Sequence, residues 1–166
     1  DLTRNHHSAA LLREKWEQYV SREFRIEDIA DFEGDISSCC LEFSSLERVL
    51  YNLINNAAEH SADGRARFFV TTIGEGTDRN AKFAVANATR QEELEALSQR
   101  FGDNYVPLFD GGFTLGGSGV GLSVVAQIVA NAYGLEHPSE AASQGYVGAT
   151  VSEGEFLVWA HWPTAE

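Results

Sequence analysis

The chain has 166 residues, 43% of them hydrophobic and 22% charged. That is enough to bury one sizeable core, and it excludes a disordered or fibrous polymer. Lysine and arginine number 12 against 25 acidic residues, for a net charge of −13 and a pI near 4.7. Such a surface repels nucleic acid and anionic membranes, so any polyanion must be held by backbone N–H groups, helix dipoles and a divalent ion. No run reaches the length of a transmembrane span and no signal-peptide pattern opens the chain, so a cytoplasmic location is expected. Cys39 and Cys40 are adjacent. On a strand they would point to opposite faces, which suits neither a mutual disulfide nor a shared metal and fits a reducing compartment.

Residues 8–24 read as a helix, because Leu12, Trp16, Tyr19, Val20 and Phe24 recur at helical spacing. Acidic residues and Gly34 then read as a loop, and Ile36 to Phe43 as a strand. Ser44-Ser45-Leu46-Glu47 has the form of a capping box opening the next helix, with Leu46, Val49, Leu50, Leu53, Ile54, Ala57 and Ala58 on one face and a stop near His60-Ser61. Arg65 to Ile73 and Ala81 to Asn87 read as a hairpin around Gly74–Asp78. Gln91 to Phe101 is a polar helix with Leu94 and Leu97 inward. Residues 102–119 hold six glycines without periodicity and read as a long loop, of the kind that is a functional lid or disordered. The helix from Val120 ends near Tyr133 with Gly134 in the C′ position, and Tyr146–Val151 and Glu155–Trp162 flank a Ser-Glu-Gly turn. This order predicts an α+β fold, with helices layered on one antiparallel or mixed sheet.

Two motifs carry chemistry. Gly116-Gly117-Ser118-Gly119-Val120-Gly121-Leu122 runs straight into an apolar helix. Glycines allow close backbone approach, and a helix start offers free N–H groups and a positive dipole end to a phosphate. Some sixty residues upstream, one helix holds Asn52, Asn55 and Asn56, then Glu59, His60 and Ser61. Asparagine is a weak helix former. Asn52, Asn56 and His60 fall at i, i+4 and i+8, in one row opposite the apolar stripe. An asparagine carbonyl is a neutral oxygen ligand suited to Mg2+.

Asn52-Leu-Ile-Asn-Asn-Ala-Ala-Glu-His-Ser61 resembles the asparagine box of the sensor histidine kinases, and Gly116–Leu122 resembles their second glycine box. Order and separation agree, and the resemblance spans about Ile36 to Pro163. It implies a Bergerat-type two-layer α/β sandwich of the GHKL superfamily, helices on one face of a mixed, mostly antiparallel sheet, binding ATP and Mg2+ under a mobile lid. It assigns Asn56 to Mg2+ that bridges the phosphates, and His60 to a position near them. It places Asn52 where gyrase-like ATPases have a glutamate acting as general base. An amide cannot accept that proton near neutral pH, which favours phosphoryl transfer to a protein side chain over hydrolysis. Gly117, Ser118, Gly119, Val120, Gly121 and Leu122 would cradle the phosphates.

The chain departs from the family pattern in three places. Asn87 stands where an Asp-x-Gly-x-Gly box usually provides the aspartate that reads the adenine amino group, and both glycines are missing. An asparagine can still read adenine through paired hydrogen bonds, with the loss of a charge-assisted one. Phe109 and Phe113 resemble the phenylalanine box, with core aromatics as the bland alternative. No lysine or arginine lies between Phe109 and Leu122, and Glu59 replaces a common lysine. Phosphate charge would then fall to Mg2+, the loop amides and the helix dipole. His6 and His7 lack the surroundings of a phosphoacceptor histidine.

Residues 1–34 are therefore expected to be an N-terminal helix and linker, the tail of a dimerisation and phosphoacceptor domain, with residues 35–166 the catalytic domain. The expected partners are the phosphoacceptor helical domain of a parent kinase and, indirectly, a response regulator. The fragment is expected to be monomeric, its parent a homodimer. Two other readings stand beside this one: a degenerate kinase-like docking module that no longer binds ATP, and a serine-directed anti-sigma kinase of the same superfamily.

Overall fold

The computed structural model describes residues 8–19, 24–30, 36, 40–74, 79–111 and 121–164. Helix α1 (Ala9–Tyr19) starts where Ser8 Oγ accepts the Leu11 amide at 3.2 Å, an N-cap bond. Residues 20–23 lie outside the described residues, and Phe24, expected at the end of this helix, leads instead into strand β1 (Arg25–Ala30). Glu27 and Asp28 disguised that strand as loop. It is an edge strand, parallel to β2 (Arg65–Ile73), and edge strands tolerate charge.

Of the strand expected from Ile36 to Phe43, residues 37–39 lie outside the described residues, and Ile36 and 41–43 are not strand. Ile36 is helical and its carbonyl accepts the Cys40 amide at 3.0 Å. Cys40 forms an isolated bridge to Thr164, while the Leu41 amide donates to Pro163 and Trp162 Nε1 donates to the Leu41 carbonyl at 2.6 Å. Helix α2 (Phe43–His60) opens at Glu42, whose left-handed φ of 49° leaves the N-terminus without a side-chain cap. Ser44 is already the second residue of the helix, so the capping box stands two residues too late to form.

Strands β2 and β3 (Asn80–Ala88) make the expected hairpin. β4 (Val147–Ser152) and β5 (Glu155–Pro163) make another; its two turn residues, Glu153 and Gly154, have φ of 53° and 81°, as a type I′ turn needs. The sheet order is β1-β2-β3-β5-β4, with only β1–β2 parallel. This is the expected α+β architecture with a mixed, mostly antiparallel sheet.

One sheet face packs on the helices. Phe68, Val70, Phe83, Val85, Val158 and Trp162 are buried there against Leu50 and Leu53 of α2 and Val125 and Val129 of α4 (Gly121–Ala132). Leu12 and Trp16 of α1 join the same core, and Trp16 meets Phe68 edge-on at 5.4 Å. Helix α3 (Gln91–Phe101) forms where expected, with Leu97 buried. The long loop after it contains a 3-10 turn, Val106–Asp110. α4 closes on Gly134 at φ 70°, with Leu135 N–H donating to Ala130 and Gly134 N–H to Asn131, the Schellman pattern. Helix α5 (Pro138–Ser143) was not foreseen, since six residues show no periodicity. Among the described residues, no helix is long and apolar enough to cross a membrane.

The other sheet face carries Arg67 over Phe69 and Lys82 over Trp159, at 5.4 and 5.1 Å from the ring centres. Trp159 sits opposite Gly148, where a Cβ would lie 2.1 Å from the ring. Gly148→Ala is expected to lose about 1–3 kcal/mol of stability by forcing the indole aside. Thermal unfolding followed by circular dichroism checks this, and the loss should shrink in a Trp159→Leu background.

Candidate functional site

The amphipathic pattern of α2 sets up the site. Leu46 to Ala58 bury one stripe, and Asn52, Asn56 and His60 hold the half-exposed row beside it. Asn52 Nδ2 donates to the Arg48 carbonyl one turn back at 2.7 Å, and Asn55 Nδ2 donates to Glu59 at 3.5 Å. Asn56 differs: its Oδ1 is buried and accepts no hydrogen bond among the described residues. A buried acceptor without a donor costs about 1–3 kcal/mol. An oxygen left in this state fits a divalent cation or a ligand donor, so the residue present suits the Mg2+ that its motif implies.

The two motifs meet in space. Gly121 is the first described residue of α4, and a Cβ built on it would lie 3.5 Å from Asn52 Oδ1. That is ordinary contact, so packing does not demand glycine here. Gly121→Ala is expected to leave the melting temperature unchanged or raised, through lower unfolded-state entropy, while weakening nucleotide binding wherever the backbone must approach the ligand closely. Parallel melting and nucleotide titrations separate the two effects. Gly117, Ser118, Gly119 and Val120, with Phe113, lie outside the described residues. Leu122 is buried in the core at 6% exposure. Phe109 is likewise a core residue within the 3-10 turn.

Asn87 closes the far end of the site. It is 2% exposed, and its Nδ2 donates to the Ala88 carbonyl at 3.1 Å and to Thr89 Oγ1 at 3.3 Å. The end of α2 is fastened beside it: the Ala62 amide donates to Ala88 at 2.8 Å, and Ser61 bridges Thr89. This lacing brings the N-terminus of α3 against α2. There Glu93, one of several charges on this polar helix, has a side chain only 12% exposed, and its Oε1 lies 3.8 Å from His60 Nδ1. Arg90 Nη1 donates to its Oε1 at 3.2 Å. Glu92, Glu93 and Glu95 look alike in sequence, and no local signal separates the inward one.

A polar asparagine row on one helix and Gly121 on another meet beside a mixed sheet, the arrangement of a domain of the GHKL type. Residues 42–163 match the family model described as histidine kinase-, DNA gyrase B- and HSP90-like ATPase, and the chain belongs to that family. A search among curated proteins finds no significant match. Solved structures of similar fold include the nucleotide-free catalytic domain of histidine kinase ThkA, with 17% identity and TM-score 0.57 over 96% of this chain and 94% of that one. Full-length ShkA in complex with AMPPNP matches at 18% identity and TM-score 0.53, over 99% of this chain and 32% of that one. The Acinetobacter baumannii histidine kinase AdeS matches at 14% identity and TM-score 0.53, over 100% and 70%.

Proposed function

We propose that the chain is the ATP-binding catalytic domain of a two-component sensor histidine kinase, which binds Mg-ATP and passes the γ-phosphate to a histidine on a separate helical domain. The observation that carries this reading is the buried Oδ1 of Asn56, which accepts no hydrogen bond among the described residues, in the row that the family motif assigns to the cation. Bound Mg2+ would neutralise phosphate charge. The chain's own residues bind and orient: Asn56 holds the cation, Asn87 reads the adenine, and the amides from Gly117 to Leu122 with the start of α4 receive the phosphates. Asn52 cannot remove a proton from water, which supports phosphoryl transfer over hydrolysis. The partners proposed with this activity are the phosphoacceptor domain of a parent dimer and its response regulator, on the cytoplasmic side.

One observation favours a second reading. The Asn87 amide group is turned onto its own strand end, and a domain so occupied could serve as a docking module without nucleotide. Calorimetric titration with a non-hydrolysable ATP analogue, with and without Mg2+, decides between them. Mg-dependent binding at micromolar to submillimolar affinity supports the kinase. Absence of binding at millimolar analogue, by a folded chain, supports the module.

A further inference from the structure

We propose that the outer face of the sheet is a docking trough for an amphipathic helix of a partner protein, apolar on the side it buries and acidic along one flank. The trough is independent of the nucleotide-site reading, because it lies on the sheet face turned away from α2 and α4. Its floor is the central strand, where Ala84, Ala86 and Ala88 are the outward residues at one end of β3. Alanine is a poor strand former, and it leaves room between taller neighbours. Arg67 and Phe69 of β2 stand on one side and Leu157 and Trp159 of β5 on the other, in register with Ala86 and Ala84. At the bottom, Ala84 and Ala86 are only 8% and 3% exposed. The walls are two strand spacings apart, about 9.5 Å, which suits a helix roughly 10 Å across.

The charge on this face runs against the rest of the chain, whose net charge is −13. Arg25, Arg65, Arg67 and Lys82 stand on it beside Glu27 and Glu155. Arg25 lies directly opposite Arg65, a like-charge pairing that costs stability and that an anion between them relieves. Neither of these guanidinium groups, nor the Lys82 ammonium, makes an ion pair among the described residues. Arg67 is paired with Glu155, which it reaches across the floor strand. A cavity of about 330 Å³ opens at this end, with the three arginines, Glu27 and Asp63 in its lining. Asp63 is turned onto the Ser61 hydroxyl and the Arg65 amide. Carboxylates on the flank of a docked helix therefore find Arg25, Arg65 and Lys82 unpaired. A second copy of the chain, placed about a two-fold axis, would set cations against cations. A flat anionic bilayer does not fill a trough and is repelled by the chain as a whole.

The test titrates the domain with a synthetic amphipathic helix of leucine, alanine and glutamate, followed by calorimetry and by NMR of the labelled protein. The same helix with lysine in place of glutamate is the control for charge. The acidic helix should bind, shift amides of β2, β3 and β5, and lose affinity as salt rises, while the lysine helix should not bind. Arg65→Glu and Lys82→Glu should each weaken binding by about 3–10-fold. Glu155→Gln should strengthen it by about 2–5-fold, because Arg67 is released to the partner. Melting curves check the fold of each variant, and binding of the ATP analogue on the same samples reads the nucleotide site separately. No binding of the acidic helix, equal binding of both helices, or binding untouched by the two charge reversals would overturn the trough. Capture of the domain by phosphatidylserine vesicles would put a membrane in place of the helix. Dimerisation seen by sedimentation and lost in Lys82→Glu would put a second copy there. Either result overturns the proposal.

Discussion

Phe68→Ala is expected to lower the unfolding free energy by about 3–5 kcal/mol, the largest stability loss of any single change considered for this domain. Phe68 is fully buried at the point where the helix layer and sheet meet. It stacks on Phe83 at 6.2 Å and receives the edge of Trp16 at 5.4 Å, and its cross-strand partner Val85 is buried too. Removing the ring strips both aromatic contacts and opens a cavity that flanking strands cannot close. Domains of this kind hold about 5–15 kcal/mol in total, so the variant should sit close to unfolding at physiological temperature. Urea denaturation followed by tryptophan fluorescence measures the loss, with Trp16 as a reporter beside the mutated ring. Phe69→Ala supplies the control. Its ring lies on the opposite sheet face under Arg67, and its loss should cost about 1 kcal/mol, mostly the cation–π contact and partial burial. If Phe69→Ala proved as damaging as Phe68→Ala, the register of β2 would be wrong, because a one-residue slip exchanges the two faces.

Long elements with a strong period were legible in the sequence. The α2 stripe from Leu46 to Ala58, the two hairpins, the polar helix from Gln91 to Phe101 and the glycine stop at Gly134 all stand where their patterns placed them. What failed was set by tertiary context. Arg25–Ala30 is a strand because β2 offers it a parallel edge, which no local alternation announced. Ile36 and Cys40 look strand-forming, yet their backbone groups go to a helical turn and to the end of β5. The Ser44 box failed by two residues, since Glu42 took the N-cap position. In the site, motif reading found the asparagine row and the helix that begins at Gly121, and the contact between Gly121 and Asn52 joins them. It could not find Glu93, whose inward turn depends on the lacing of Ala62 and Ser61 to β3.

Asn56→Ala is expected to weaken Mg-dependent binding of an ATP analogue by on the order of 10–100-fold and to leave the domain as stable as before, or more so. The two effects have opposite signs for one physical reason. Asn56 Oδ1 is buried and accepts no hydrogen bond among the described residues, a cost to folding that a bound cation would offset. Alanine removes the stranded acceptor and is the better helix former by some tenths of a kcal/mol. It also removes the ligand. A residue kept against stability in this way is the mark of a binding role, whereas a residue that only packs would lose stability when truncated. Analogue titration and thermal melting on one sample read both numbers. Lost binding with a steady or raised melting temperature supports Asn56 as the cation-holding residue. Unchanged binding would sink that assignment, and a melting temperature lowered by several degrees would show that Asn56 is there for packing.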